Sequence, residues 1–335
     1  MVRITAMKIL VTGSSGHLGE ALMRTLAQDP AGREAVGLDL LPGAFTQVVA
    51  DLADREAVRR ALREHGITAV VHAATLHKPH VGSHARREFV DANVIGTLNL
   101  LEEAVEAGAD RFVFTSTTSA FGRALTPGDR QPAAWITEGV VPIPRNVYGV
   151  TKTSAEGFCE LVHRDAGLPV LILRTSRFFP EQDDREEVRT RYPDANLKVN
   201  ELLYRRVDIE DAVGAHLLAL ERAPQLGFDR YIISATTPFQ PDDAPALQED
   251  APAVVAAKFP HYREVYDKLG WTMFPQIERV YDNAHARVGL GWAPRWDFAY
   301  ALERLAAGEA PRSALTDAVG AKGYHAESHG VYTTR

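Results

Sequence analysis

Cysteine is nearly absent from this sequence of 335 residues, in which Cys159 stands alone. One cysteine excludes an internal disulfide and favours a reducing compartment, so we expect a cytoplasmic protein. Basic side chains number 37 against 44 acidic ones, and this formal net charge of −7 gives no support for nucleic-acid binding. No apolar run is long enough to span a membrane, and the first residues lack the features of a secretion signal. These shortages favour a globular protein with a small-molecule partner.

Short apolar runs alternate with helical patterns through the first half of the chain. The strand-like runs are MKILVTG, EAVGLDL, TQVVADL, AVVHAA, RFVFTST and PVLILR. Strands that alternate with helices pair in parallel through crossovers. The pattern therefore predicts an α/β fold, a doubly wound parallel Rossmann sheet with a smaller, mostly helical C-terminal substrate domain. Residues 177–205 are polar and are expected to be irregular, and YRRVDIEDAVGAHLLALE with RYIIS predicts one further crossover unit.

The segment TGSSGHLGE joins the first predicted strand to the first helix. Gly13, Gly16 and Gly19 allow a tight turn, a close approach of the backbone to a diphosphate, and tight packing of helix on strand. The amino terminus of the helix supplies positive potential. The first interval is one residue longer than in the common G-x-G-x-x-G pattern. We predict a dinucleotide site here that includes His17 and Leu18 of the same segment.

Asp39 ends the second predicted strand, twenty residues after Gly19. A carboxylate at this position can accept hydrogen bonds from a ribose diol and repels a 2′-phosphate, which favours NAD over NADP. Leu40 and Leu41 follow, where an arginine would favour NADP. The alternative is that Asp39 serves a turn or a helix cap.

The segment NVYGVTKTSAE places Tyr148 and Lys152 four residues apart, on one face of a predicted helix. A surface pair is the alternative. A free tyrosine has a pKa near ~10, too high for a base at neutral pH. A neighbouring ammonium and the positive nicotinamide ring both favour the phenolate. Tyr148 can then take the proton from a substrate hydroxyl while hydride leaves the same carbon for the cofactor, whose ribose Lys152 can hold.

Together these motifs resemble the extended short-chain dehydrogenase/reductase family, of the NAD-dependent epimerase/dehydratase type, over about residues 7–307. The resemblance rests on Asp39 and on TGSSGHLG, ADLAD, VVHAAT, NVIGTLNLLEEA, FVFTSTTSAFG, NVYGVTK, LILRTSRFF, RRVDIEDAVGAHLLAL and LGWAPRWDF. It implies that Thr117 is the hydroxyl partner of the substrate oxygen, Tyr148 the acid/base and Lys152 its activator, with Ser116 and Thr118 as alternatives to Thr117. It implies further cofactor contacts from Asp51, Leu52, Ala73, Ala74, Thr75 and Asn93.

The residues after Thr117 bear on the type of reaction. Dehydratases that resemble this family carry an acidic pair directly after the catalytic threonine, whereas Thr118 and Ser119 follow here. Dehydration is therefore disfavoured, which leaves net dehydrogenation of a sugar or sugar acid, or 4-epimerisation of a nucleotide sugar with tightly bound NAD. An NAD-sensing binding protein is a further alternative, against which the intact Thr117, Tyr148 and Lys152 argue.

The segment RTSRFFPEQ departs from the family pattern, because Arg177 stands where enzymes on nucleotide sugars usually have asparagine. An arginine suits a carboxylate or phosphate of the substrate, and its alternative is a salt bridge with Glu181 or Asp183. Further substrate contacts are expected from Lys78, His80 and Thr118. The histidines of LHKPHVGSHARR are interpreted as solvated or substrate-touching, and no metal is expected because no carboxylate or cysteine completes a ligand set.

The domain organisation follows from these assignments. We expect an NAD-binding domain over residues 1–178 plus about 205–235. A substrate-binding domain is expected over about 179–204 plus 236–310, followed by a C-terminal arm over 311–335. The resemblance also implies a homodimer in which the helices around 93–107 and 148–163 pair into a four-helix bundle.

Overall fold

The central feature of the computed structural model, which describes residues 7–128 and 131–322, is a sheet of seven strands. Its order is β3-β2-β1-β4-β5-β7-β8, and β6 and β9 form a separate parallel pair. The strands are β1 Lys8–Thr12, β2 Glu34–Asp39, β3 Val48–Val49, β4 Ala69–His72, β5 Arg111–Thr117, β6 Ala134–Ile136, β7 Val170–Thr175, β8 Phe228–Ile233 and β9 Arg279–Tyr281. The predicted α/β fold with a parallel sheet is confirmed.

The strand order reverses on either side of β1. This strand pairs in parallel with β2 and β4, so that Leu10 lies opposite Val36 on one side and Val70 on the other. The carboxyl ends of β1 and β4, at Thr12 and His72, are therefore adjacent at the switch point of the sheet. In open α/β sheets, ligands bind outside the carboxyl ends of the strands at such a point.

Helices connect the strands of the sheet and continue beyond its last strand. They are α1 His17–Leu26, α2 Arg55–Glu64, α3 Arg86–Val90, α4 Gly96–Glu106, α5 Val147–Ala166, α6 Glu186–Arg191, α7 Asp194–Leu202, α8 Ile209–Leu226, α9 Ala244–Lys258, α10 Tyr262–Leu269, α11 Ala284–Leu290, α12 Phe298–Ala306 and α13 Ala314–Val319. Within the described ranges, none of these helices is long and apolar enough to cross a membrane.

The helical segment between β4 and β5 is divided in the structure. Helices α3 and α4 are joined by the π-helical turn Asp91–Ile95, which buries Asn93. Such turns are frequent at functional sites because they redirect one side chain without ending the helix.

The prediction that residues 177–205 are irregular is wrong, because α6 and α7 lie within this range. Helix α7 buries Leu197, Val199 and Leu202, and its asparagines form long-range hydrogen bonds. Further along the chain, helix α9 is interrupted at Asp250. The side chain of Asp250 accepts a hydrogen bond from Ala253 N, so it caps the second half of that helix.

The chain divides into two compact units. Among the described residues, the first comprises 7–122, 142–174 and 213–231, and the second comprises the remainder. The apolar core of the first unit includes Leu10, Val70 and Phe112. The core of the second includes Tyr266 and Phe298. The predicted domain boundaries remain a prediction, and the part of the expected C-terminal arm beyond residue 322 lies outside the described residues.

Candidate active site

The turn between β1 and α1 requires glycine at two positions. Gly13 has a φ of 75°, and a Cβ there would lie 2.7 Å from the backbone nitrogen of Ala74. A Cβ on Gly19 would lie 1.9 Å from the carbonyl oxygen of Gly13. Gly16 is the N-cap of α1, and within the described part of the chain no side chain caps this helix. A tight turn that opens an uncapped helix can accept a diphosphate, so these residues fit a dinucleotide.

Asp39 lies beside this turn. Its Oδ2 atom accepts a hydrogen bond from Ser15 N at 2.9 Å, and its Oδ1 atom accepts one from Leu41 N at 2.9 Å. The hydroxyl of Ser15 donates to the carbonyl oxygen of Leu41 at 3.0 Å and lies 2.9 Å from Thr46 Oγ1. Asp39 therefore accepts hydrogen bonds within the turn after β2, a role that the sequence also allowed. These bonds fix its carboxylate next to the glycine segment.

The other predicted cofactor residues follow the carboxyl ends of β3 and β4. Asp51 accepts a hydrogen bond from Ala53 N at 2.9 Å, and Leu52 is buried. Ala73 N donates to the carbonyl oxygen of Thr12 at 3.3 Å, and Ala74 N donates to the Thr12 hydroxyl at 3.2 Å. The contacts of Ala73 and Ala74 hold the segment after β4 beside the end of β1.

Asn93 joins the segment after β4 to helix α5. Its Oδ1 atom accepts from Thr75 Oγ1 at 2.9 Å and from Leu76 N at 2.8 Å. Its amide nitrogen donates to Leu76 O at 2.8 Å and to Thr151 Oγ1 at 3.0 Å. Because Thr151 precedes Lys152, the amide fixes the helix that carries the predicted acid/base pair relative to the strand ends.

Tyr148 and Thr117 are brought together within the first unit. Helix α5 begins after Asn146, whose side chain accepts a hydrogen bond from Gly149 N at 3.0 Å, and this cap places Tyr148 in the first turn. Burial raises the pKa of the Tyr148 phenol to about 12, and a side-chain hydrogen bond with Thr117 opposes that rise. The phenol is therefore protonated at neutral pH in the chain itself.

Lys152 is fully buried one turn further along α5. Burial lowers the pKa of its ammonium to about 7, while Cys159 and Glu156 act in the opposite direction. Its Nζ atom lies 3.9 Å from the centre of the Phe114 ring, a cation–π contact that offsets part of the cost of burial. Sequence reasoning expected the ammonium to favour the phenolate; in this structure burial disfavours both charged forms.

The sequence analysis did not identify a buried ion pair beside this site. Glu156 Oε1 accepts from Ser116 Oγ at 2.5 Å, and Glu156 Oε2 accepts from an Arg174 guanidinium nitrogen at 2.7 Å. Ser116 therefore contacts Glu156, whereas Thr117 contacts Tyr148. The available signal was the spacing of Glu156, four residues after Lys152 and hence on the same helix face.

A buried histidine was also missed. His72, at the carboxyl end of β4, lies between two hydroxyls, with Nδ1 2.7 Å from Thr12 Oγ1 and Nε2 2.9 Å from Thr97 Oγ1. Burial, and secondarily the charge of Lys152, holds the pKa of His72 well below its usual range. This neutral ring fastens β1 and β4 to helix α4 behind the glycine turn.

The predicted substrate residues have different environments. In the first unit, His80 is buried and its Nδ1 atom accepts from His77 N at 3.0 Å, so it is not a solvated side chain. Lys78 is exposed and Thr118 is buried. In the second unit, Arg177 donates to Asp183 at 2.7 Å and to Glu201 at 3.0 Å. The salt bridge with Asp183 is thus present, and contact of Arg177 with substrate remains a prediction.

Comparison with known proteins bears on this site. Residues 9–233 match the NAD dependent epimerase/dehydratase family. The UDP-glucose 4-epimerase of Erwinia amylovora is 35% identical over 133 residues, which cover 35% of this chain and 38% of that protein. The L-arabinose 1-dehydrogenase (NAD(P)(+)) of Haloferax volcanii is 30% identical over 201 residues, which cover 55% of this chain and 74% of that protein. The chain spans less than half the length of the first three epimerases that it matches.

A solved structure shares the fold. It is a short-chain dehydrogenase/reductase superfamily protein from Agrobacterium tumefaciens with bound NAD, 24% identical, with a TM-score of 0.63. The superposition covers 90% of this chain and 96% of that chain.

Proposed function

Because the chain belongs to the NAD dependent epimerase/dehydratase family, we propose that it oxidises a hydroxyl of a sugar or sugar acid, with NAD as the hydride acceptor. The observation that carries the proposal is the buried set of Thr117, Tyr148 and Lys152, in which Thr117 is near enough to Tyr148 to lower the pKa of its phenol. A phenol of this kind, at the carboxyl ends of a parallel sheet, is suited to exchange a proton with a substrate hydroxyl.

The residues that would hold NAD are those of the glycine turn, with Asp39 for the adenosine ribose. The backbone of the turn suits the diphosphate, and the carboxylate of Asp39 suits a diol and repels a 2′-phosphate. When bound, NAD supplies the hydride acceptor and a positive ring that favours the phenolate form of a nearby tyrosine.

The chain's own groups account for the movement of the proton. Tyr148 Oη accepts the proton of the substrate hydroxyl once it is in the phenolate form, which the positive ring of bound NAD would favour, and the Thr117 hydroxyl bonds the same oxygen as its charge changes. Burial of both Tyr148 and Lys152 excludes water from the reacting group. Lys152 orients the nicotinamide ribose and supplies positive charge to the site when it is protonated.

The test is oxidation of candidate substrates by the purified full-length protein with NAD⁺. A panel of free uronates and neutral sugars is assayed for the absorbance of NADH. We expect turnover with at least one of them and a loss of about 10²–10⁴-fold in Tyr148→Phe, which retains NAD binding. Tyr262→Phe, a change at a buried tyrosine of the second unit, is the matched control and should retain activity. Equal activity of Tyr148→Phe and wild type would contradict the proposal.

A second candidate is 4-epimerisation of a nucleotide sugar, which the similarity to UDP-glucose 4-epimerases favours. An epimerase returns the hydride to its substrate, so it produces no net NADH. Conversion of UDP-glucose to its 4-epimer, followed by NMR, distinguishes it from the leading proposal. A binding protein that only senses NAD would show neither reaction and would be unaffected by Tyr148→Phe.

The assembly and location are also proposed. We infer a homodimer, supported by exposed apolar side chains on the helices predicted to pair. Ile95, in the π-helical turn before α4, is 38% exposed, and on α5 Val150 and Leu161 are 50% and 38% exposed. A reducing, cytoplasmic location is supported by the single cysteine, Cys159, which is buried and unpaired with another cysteine.

A further inference from the structure

The second unit contains a cavity of about 230 Å³. Its lining includes the aromatic and aliphatic side chains Phe178, Phe179, Pro180, Trp296 and Pro311. Three cations, Lys198, Arg206 and Arg312, line the same space, together with three carboxylates. Because an apolar cavity of about 150 Å³ can hold benzene, this one is large enough for a ligand with a single ring.

Arg206 has the longest ion pair of the three cations at this cavity. Glu201, the nearest carboxylate, already accepts from Arg177 at 3.0 Å and from Arg205 at 2.8 Å. Its distance to Nε of Arg206 is 3.8 Å. Asp183 pairs with Arg177 as well, so the close ion pairs of Glu201 go to Arg177 and Arg205, and the remaining carboxylates act on Arg206 by charge alone.

The hydrogen bonds of Arg206 leave one nitrogen unused. Its Nη2 atom donates to the carbonyl oxygen of Phe179 at 2.7 Å, but Nη1, which is buried, has no hydrogen-bond partner among the residues that the structure describes. A buried guanidinium nitrogen without an acceptor is costly to the folded chain, and an acceptor in the cavity would relieve that cost.

Lys198 adds a second cation to the same wall. Its ammonium donates to Pro180 O and pairs with Asp194 at 2.5 Å. Burial and the charge of Arg206 lower the pKa of Lys198, which shows that the two cations repel each other. Of the other carboxylates at the cavity, Asp208 accepts from Ser313 and Thr316, and Asp317 pairs with Arg312. None of these carboxylates accepts a hydrogen bond from Nη1 of Arg206, so an acceptor on a ligand can use that donor.

We propose that this cavity binds a small organic carboxylate, with the carboxylate at Arg206 and Lys198 and the apolar part against the aromatic wall. Carboxylates match the planar geometry of a guanidinium, and a hydrogen bond to a charged donor is stronger than a neutral one. The aromatic and aliphatic lining favours an organic monoanion over inorganic phosphate. This site goes beyond the proposed oxidation, since its residues do not include Thr117, Tyr148 or Lys152.

The experiment is isothermal titration of the full-length protein with benzoate, benzyl alcohol and inorganic phosphate in parallel. We expect benzoate to bind about tenfold or more tightly than benzyl alcohol, because the alcohol lacks the charge that Arg206 needs. Equal affinity for the two, or preferential binding of phosphate, would overturn the proposal. The titrations use protein without added NAD or sugar, so the result does not depend on the oxidoreductase activity.

Variants locate the bound ligand. Arg206→Met should weaken benzoate binding by about tenfold or more, whereas the matched control Arg205→Met, a neighbouring arginine on the same Glu201, should change it by less than about threefold. If Arg206→Met does not fold, Lys198→Met replaces it, because that side chain is 20% exposed and its loss is better tolerated. Lys198→Met should also weaken benzoate relative to benzyl alcohol. Unchanged benzoate affinity in the folded variants would refute the site.

Discussion

At the scale of single residues, Lys152 links folding to pH. Its pKa is about 7 in the folded chain, against about 10.4 for an unperturbed lysine. Between these values the unfolded chain binds the proton and the folded chain does not, so the free energy of unfolding rises with pH. The stabilisation is therefore lost progressively as pH falls from about 10.4, and the loss is complete below about 7.

We predict that Lys152→Met removes a slope of up to about 1.4 kcal/mol per pH unit between about pH 7 and 8.5. Urea denaturation of the protein without cofactor at several pH values measures this slope. The control is Lys258→Met, which removes a lysine that pairs with Asp243. The measured pH range stops at about 8.5 because Cys159 and Tyr148 ionise in the unfolded chain mainly above it. Burial raises the pKa of both groups in the folded chain, so their ionisation lowers the free energy of unfolding as pH rises. A wild-type slope retained in Lys152→Met would show that Lys152 is charged in the folded state.

Single residues also show how much of the site can be predicted from sequence. Tyr148 and Lys152 could be predicted because a four-residue spacing on one helix fixes their common face. The bonds of Asn93 could not, because Thr75 and Thr151 are 18 and 58 residues away in sequence. The raised pKa of Tyr148 was missed for a related reason, since burial depends on the packed fold and not on the neighbouring lysine.

At the scale of elements, Glu156 ties helix α5 to strands β5 and β7. Its carboxylate accepts from Ser116 at the end of β5 and from Arg174 in β7, and both charged side chains are 4% exposed. Removing one partner of a buried pair leaves an uncompensated charge, so we predict that Glu156→Ala lowers the free energy of unfolding by about 3–5 kcal/mol.

The matched control for this prediction lies one turn away. Glu160 pairs with Arg230, but its side chain is 47% exposed, so Glu160→Ala should cost less than about 1 kcal/mol. Urea denaturation at neutral pH compares the two variants directly. Similar losses in both would mean that the buried pair contributes no more than a surface one.

Elements were predictable where local pattern and tertiary packing agree. The apolar runs of β1, β4, β5 and β7 are buried throughout or nearly so, and their short length between helical segments identified them. Helix α7 was missed because asparagine is a weak helix former. Its Asn196 and Asn200 bond the backbone of Thr272, more than seventy residues away, and these contacts are not visible in the local sequence.

At the scale of the whole molecule, the family match ends at residue 233, where strand β8 ends. It therefore includes the glycine turn and the set of Thr117, Tyr148 and Lys152, but none of the helices from α9 onward. Those helices form much of the core of the second unit. This division explains why the type of chemistry can be argued from family membership, whereas the substrate must be found by experiment.

The proposed homodimer predicts that exposed apolar residues on α5 lie in the interface. Val150 and Leu161 lie eleven residues apart on α5, three helical turns, and so share one exposed face. Covering an apolar stripe of this kind favours association, and a charge placed in a packed interface opposes it. We predict that Val150→Glu combined with Leu161→Glu converts a dimer into a monomer, measured as molar mass by light scattering after gel filtration. Val288→Glu is the control, because Val288 is 86% exposed on α11 of the second unit and should leave the mass unchanged. A double variant that remains dimeric would place the interface on another surface, and a wild-type protein of monomer mass would refute the dimer itself.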